Sequence, residues 1–460
     1  MPFGLAYDVV TTLSRWSIYG FYKEIRVVGH ENVPKEGPMI VCSTHSNMIV
    51  DPAVLAVTFP HHRKIHFWAK NSLFKNKYTR PILVGGGVVP VDRTTKNNKA
   101  LFSATLEVLK LGEVVAVFPE GTSHSESRLL ELKDGASWQE HTEESNSDDD
   151  LVIVKKQKEK QIVIIPCGIT YVQKSKYRSS LIIVYGSPIQ IDPYFKDFLL
   201  DNRTAVKALT KRIESEIEKL TINASNWEIS NASSMARMLY FSNDKLVPLE
   251  DYVKVTQSLI NFFSNTTSEE VTTLKNLLIQ YKTSLDALHL SNHDIARYEH
   301  HNLTLPRALY SFLCELFKFS IQLPFFLPGL CFHWPIYVLG KVSVRFEIYE
   351  ESRAQNKIFL GLVFSVGSVI IFAWYHVALV DSHYDTFKEL IASFRLLSAL
   401  IGGNKSRDMV DNLVTTRRLC LDQLRKVSED YRSKSDDLRL ALEISEREQS
   451  NDGFDDKKLT

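Results

Sequence analysis

From residue 25 to about 220, short apolar runs alternate with stretches of mixed polarity. "PMIVCST", "KIHFWA", "PILVGGGVVPV", "EVVAVFPEG", "QIVIIPCGITYV" and "LIIVYGSPIQI" read as strands. Between the third and fourth, "KNNKALFSATLEVLKLG" carries Leu101, Leu106, Leu109 and Leu111 among its apolar positions and reads as a helix. Strands alternating with helices predict an α/β domain over 25–220, with a mostly parallel sheet and flanking helices. "SWQEHTEESNSDDDLVIVKKQKEKQ" interrupts this rhythm with an acidic and then a basic run, so about 138–160 reads as a disordered, solvated insertion.

Residues 1–24 place Leu5, Val9, Val10, Leu13, Trp16 and Ile18 at helical spacing. That pattern suits an amphipathic helix on a membrane surface, and equally one packed on the domain. There is no basic start followed by an apolar core, so the segment does not read as a secretory signal. Past the α/β domain, 221–305 is polar and reads as a helical connecting region.

The apolar balance then changes. Residues 358–380, "IFLGLVFSVGSVIIFAWYHVALV", hold no Asp, Glu, Lys or Arg. At about 1.5 Å per residue such a run matches a hydrocarbon layer of roughly 30 Å. Leu309–Leu339 is also apolar but contains Glu315, Lys318, Pro324, Pro328 and Pro335. It reads as a broken span, a re-entrant hairpin or an interfacial helix. Together, 306–381 is expected to be a C-terminal helical membrane region, and 382–460 a charged C-terminal tail.

Charge and cysteine usage narrow the partners. Lys and Arg total 55 against 54 Asp and Glu, so nothing in the balance points to nucleic acid. The cysteines Cys42, Cys167, Cys314, Cys331 and Cys420 are scattered without CxxC or metal-ligand spacing. They read as reduced thiols rather than a disulfide framework.

Four segments carry candidate chemistry. In "STHSNMIVDP", His45 follows a strand and Asp51 follows it by six positions. A turn of that length lets the carboxylate fix the ring tautomer and leave the other nitrogen to take a proton. "GGGVVPVDR" joins a glycine cluster to Arg93, a two-pronged donor suited to phosphate. "VVAVFPEGTSHSESRL" sets Glu120, Gly121 and Thr122 at a strand end, offering a carboxylate, bare N–H groups and a hydroxyl. His124 reads as a surface residue there, and Lys70 and Ser123 as weaker phosphate ligands. "IVIIPCGITY" runs an apolar strand to Pro166 and a turn.

In their order and rough spacing, "HSNMIVD", "GGGVVPVDR", "FPEGTSHSESRL" and "IIPCGITY" resemble the four motif blocks of the glycerolipid acyltransferases, the family of glycerol-3-phosphate and lysophosphatidate acyltransferases. Five residues separate His45 from Asp51, where the commonest family pattern has four. "LPFFLPGLCFHWPIYVLGKVSV" resembles the C-terminal region of the fungal-type glycerol-3-phosphate/dihydroxyacetone-phosphate sn-1 enzymes more loosely.

The resemblance implies acyl transfer from acyl-CoA to the sn-1 hydroxyl of glycerol-3-phosphate, making lysophosphatidate. His45 is then the general base and Asp51 its orienting partner. Arg93 grips the acceptor phosphate, and Glu120, Gly121 and Thr122 position the acceptor. No metal and no cofactor is implied, since acyl-CoA is a co-substrate. The implied setting is the endoplasmic reticulum membrane, with several spans and the catalytic domain facing the cytosol. An sn-2 lysophosphatidate acyltransferase and a catalytically idle lipid-binding scaffold are the alternatives.

Overall fold

The computed structural model describes residues 3–91, 105, 107–132, 162–191, 194, 200–241, 247–301, 305–347, 349, 352–359, 361, 386–398, 401 and 404–455. Arg93 and the expected insertion at 138–160 lie outside the described residues. The chain divides into two compact units, residues 1–222 with 340–362, and residues 223–339 with 363–460.

The first unit is built on an eight-stranded sheet of β1 (Glu24–Val28), β2 (Met39–Ser43), β3 (Ile65–Lys70), β4 (Val89–Val91), β5 (Val114–Val117), β6 (Val163–Tyr171), β7 (Ser180–Tyr185) and β8 (Ile189–Gln190). The order is β1-β7-β6-β2-β5-β3-β4, with β8 beside β6. Pairing is parallel except where β6 meets β7 and β8. The mostly parallel α/β architecture expected from the alternating runs is therefore present. Its central strands are buried on both faces. Met39, Val41, Val114, Ala116, Ile165 and Ile183 are each 0% exposed, which is why these runs are continuously apolar instead of alternating.

Three local readings are corrected. Helix α1 (Leu5–Phe21) precedes β1, a strand with partly polar sequence that hydropathy did not reveal. "PILVGGGVVPV" is not one strand: Thr79–Gly85 is a helix, and only Val89–Val91 pairs. The glycine cluster serves the protein's own packing. Gly87 has φ +68°, and a Cβ there would sit 2.8 Å from the Phe3 ring and 2.9 Å from His66 Nδ1. Finally, β6 runs to Tyr171, as the strand reading of "QIVIIPCGITYV" expected, without the turn expected at Pro166.

Helix α2 (Val50–Thr58) buries Val50, Val54 and Leu55 in the sheet core. Ile18 and Phe21 of α1 join the same core. Residues far down the chain enter it too. Ala354 is 0% exposed within this cluster, and Ile358 packs against it. In the second unit, the charged C-terminal stretch is folded. Asn404–Tyr431 packs on Glu269–Leu288 and Asn292–His301, and Asp436–Asp455 packs on Leu249–Asn265. Val410, Leu413, Leu424 and Leu438 are buried there.

The expected C-terminal membrane region is overturned. Among the described residues, no helix is long and apolar enough to cross a membrane. The stretch 309–339 lies within one helix, Leu305–Phe346, that runs through its prolines and also carries Arg307, Glu315, Lys318, Lys341 and Arg345. Glu315 and Lys318 pair on it at 2.9 Å. Of 358–380, only 358, 359 and 361 are described, and the rest lies outside the described residues.

Candidate active site

Strand register brings the site together. β2 is parallel to both β5 and β6, with Cys42 opposite Val117 and Ser43 opposite Cys167. The turns that leave β2 and β5 therefore emerge side by side at the carboxyl edge of the sheet, the edge where open α/β sheets place their ligands. β6 runs four residues past Cys167 and so carries Tyr171 beyond the end of β2. Two bonds lock this edge: the Ile169 N–H donates to Thr44 Oγ1 at 3.0 Å, and the Thr44 N–H to the Cys167 carbonyl at 3.3 Å.

His45 stands in the turn after β2 and Asp51 in the first turn of α2. His45 Nδ1 lies 3.0 Å from Asp51 Oδ2. The Asp51 side chain is 0% exposed and that of His45 19%. Oδ2 also accepts the Ser46 and Asn47 N–H groups at 2.8 and 2.7 Å, and Oδ1 accepts the Tyr171 hydroxyl at 2.5 Å. The Ser46 and Asn47 N–H groups and the Tyr171 hydroxyl are donors, the set a carboxylate accepts, and such a carboxylate beside Nδ1 favours the tautomer with Nδ1–H. With Nδ1–H donated to Asp51, Nε2 carries the lone pair that can accept a proton. The Phe118 ring stacks on His45, with centroids 4.3 Å apart and planes at 22°.

The five-residue spacing is absorbed at Met48, which adopts φ +37°. A non-glycine residue there costs about 1–2 kcal/mol, held by its surroundings. Ser352 Oγ lies 2.9 Å from the Met48 sulfur.

The β5 turn meets this group through Glu120, which is 1% exposed. Its Oε1 accepts the His45 N–H at 2.6 Å, and its Oε2 faces His124 Nε2 in a close pair. The His124 N–H donates to the His45 carbonyl at 3.2 Å. Gly121 takes φ +72°, the left-handed turn that a glycine accepts at no steric cost. The Thr122 side chain is exposed and, among the described residues, bonds only locally, to the Ser123 carbonyl at 3.3 Å.

His45, Asp51 and Glu120 are thus brought together, and Gly121 shapes the turn beside them. Thr122 is not drawn into the cluster, and Arg93 lies outside the described residues. The Lys70 side chain lies outside them as well. His124 is not the surface residue it was read to be: its side chain is 15% exposed and faces Glu120. Tyr171 was missed. Its only sequence signal was a polar-tipped aromatic ending an apolar strand, and aromatics are common there for packing alone. Burial first, then the Asp51 charge, push its phenol well above the ordinary range, so it remains a donor. Among the described residues, no group of three or more His, Cys, Asp or Glu side chains is placed to hold a metal.

A His–Asp pair at the carboxyl edge of a parallel sheet, braced by a buried glutamate, has the arrangement that a general base requires. Residues 24–170 match the acyltransferase family, and residues 233–347 match the "Glycerol-3-phosphate acyltransferase 2 C-terminal domain". The chain thus carries a segment similar to the acyltransferase family, followed by a segment similar to that C-terminal domain.

Two similar relatives are from Saccharomyces cerevisiae. "Glycerol-3-phosphate O-acyltransferase 2" is 26% identical over 280 residues, covering 60% of this chain and 36% of the relative. "Glycerol-3-phosphate O-acyltransferase 1" is 22% identical over 438 residues, covering 72% and 55%. A shorter likeness, 35% over 112 residues, is to the "1-acyl-sn-glycerol-3-phosphate acyltransferase" of Bacillus subtilis, covering 24% of this chain and 54% of that one. The chain spans about a third to a half of the length of the yeast relatives.

Proposed function

We propose that this protein transfers a fatty acyl group from acyl-CoA to the sn-1 hydroxyl of glycerol-3-phosphate, producing lysophosphatidate. The observation that carries the reading is the His45–Asp51 pair, with Nε2 left to accept a proton. His45 takes the acceptor hydroxyl proton as that oxygen attacks the thioester carbonyl carbon. The C–S bond breaks, and the imidazolium returns the proton to the leaving thiolate. Asp51 holds the ring and stabilises the imidazolium. Glu120 is committed to the His45 N–H and to His124, so it shapes the site instead of touching the acceptor. Arg93 serves the acceptor phosphate, and Gly121 and Thr122 border the acceptor.

The match of 233–347 to a glycerol-3-phosphate acyltransferase C-terminal domain favours sn-1 over sn-2 acylation. The reaction takes place at a bilayer surface. Helix α1 buries Tyr7, Ile18 and Phe21 on the domain but leaves Leu5 80%, Trp16 56% and Tyr19 57% exposed, an apolar face suited to the interface. Both readings of this helix are thereby combined.

The test is an assay of purified protein with labelled acyl-CoA, offering glycerol-3-phosphate, dihydroxyacetone phosphate and lysophosphatidate in parallel. Transfer to glycerol-3-phosphate supports the reading. Transfer to lysophosphatidate alone assigns the sn-2 reaction, and no transfer to any acceptor refutes both.

A further inference from the structure

We propose that Tyr171 is a positioning residue of the acyl-transfer site, acting through Asp51. The inference rests on the reading of His45 as general base. A carboxylate held by one oxygen can still swing about its Cβ–Cγ bond. Asp51 Oδ2 gathers three donors, the His45 ring and the Ser46 and Asn47 N–H groups. Those bonds leave Oδ1 to fix the plane, and the Tyr171 hydroxyl reaches it at 2.5 Å. With Oδ1 held, the lone pairs of Oδ2 stay aimed at Nδ1, and the imidazole keeps the orientation that base catalysis needs.

The donor stands on a rigid element. Tyr171 ends a nine-residue strand and packs against the sheet core. Two residues before it, the Ile169 N–H is tied to Thr44, the residue that precedes His45. Strand β6 and the His45 turn are thus one braced unit, and Tyr171 joins it to α2 through Asp51. The titratable groups facing this unit are His45, Tyr22 and Cys167 around Asp51, with Glu120 and His124 on the far side of the His45 turn.

A neighbouring tyrosine supplies the control. Tyr22 is 2% exposed and its ring lies 5.8 Å from that of Tyr171. Its hydroxyl lies beside Asn47 without reaching hydrogen-bond geometry, and makes no bond to Asp51 among the described residues. Removing that oxygen takes no donor from the carboxylate. Removing the Tyr171 oxygen leaves Oδ1 bare in a buried site.

Four readouts on the full chain decide the role: steady-state transfer, thermal unfolding, the pH–rate profile, and titration of the His45 ring by NMR. For Tyr171→Phe, kcat falls about ten- to hundred-fold, the range a charge-assisted hydrogen bond corresponds to. Both KM values stay within about two-fold, as expected when only orientation is lost. With Oδ1 released, Oδ2 is no longer aimed at Nδ1, and Asp51 holds the imidazolium less tightly. The His45 titration and the acidic limb of the profile therefore move to lower pH. Tyr22→Phe changes neither kcat nor the limb.

In an Asp51→Asn background, adding Tyr171→Phe costs little further activity, because the two act through one bond. Should Tyr171→Phe fail to fold, 4-fluorophenylalanine at position 171 keeps the shape without a donor and shows the same loss of kcat and the same titration shift. A Tyr171→Phe enzyme with wild-type kcat and an unmoved titration overturns the proposal. So does an equal loss in the Asp51→Asn background, which marks a merely structural role. If wild-type protein transfers no acyl group yet its His45 titration responds to Tyr171→Phe, the acyltransferase reading fails and the positioning role stands.

Discussion

Glu120 accepts the main-chain N–H of His45 at 2.6 Å, a contact between residues 75 positions apart. It pins the turn after β2 to the turn after β5, and the buried carboxylate is in turn held against His124. Glu120→Gln keeps an oxygen to accept the His45 N–H but loses the charge facing His124, and should lower kcat modestly. Glu120→Ala leaves the buried His45 N–H without an acceptor, which costs about 1–3 kcal/mol. Its kcat should fall further and its melting temperature should drop, whereas acyl-CoA KM should change little. A Glu120→Ala protein whose main defect is a raised acceptor KM would return this residue to direct substrate contact.

His45→Ala should abolish transfer without loss of folding, because its side chain projects from the turn after β2 and, among the described residues, only Phe118 stacks on it. General-base catalysis accounts for about 10²–10⁴-fold. Asp51→Asn should be severely impaired as well, since an amide cannot stabilise the imidazolium as a carboxylate does. A His45→Ala protein that keeps more than a tenth of wild-type turnover would sink the assignment.

The buried thiols give a pH prediction. Burial pushes Cys42 and Cys167, on adjacent strands β2 and β6, up to about 12 from an ordinary 9.0, and Cys420 likewise. Folding favours their neutral form, so their contribution to stability is complete below pH 9 and declines as pH rises toward 12. At pH 8, alkylation mapped by mass spectrometry should reach the partly exposed Cys314 well before Cys42, Cys167 or Cys420. Rapid labelling of Cys167 in native protein would contradict the closed sheet core.

Ala354 tests how far the sheet-bearing unit extends. It is 0% exposed in the same core as Val54 and Ile183, although it lies well beyond the matched acyltransferase domain of residues 24–170. Ala354→Glu should bury an unpaired charge and destabilise the first unit by several kcal/mol. The expected outcome is an early loss in thermal unfolding together with lost transfer. Wild-type stability in this variant would show that 340–362 is dispensable to the unit.

Hydrophobic periodicity was enough to find the α/β domain, because parallel strands buried on both faces must be apolar throughout. It also drew attention to His45 and Glu120, in the turns after such strands, and to Asp51, which opens the next helix. Hydropathy misled further along, where apolar length alone suggested membrane spans. The stretch around 309–339 also holds paired charges within one helix, and the next apolar run begins at Ile358, against the sheet core.

The residues that only tertiary structure could join are those brought in by register and by distant chain. Tyr171 reaches Asp51 because β6 is parallel to β2 and four residues longer at that edge. His124 turns inward because Glu120 is already fixed to His45. Ala354 enters the core from the far end of the chain. A linear pattern records which faces must leave water. It does not record which strand lies beside which, and at this site strand order decides which polar groups meet.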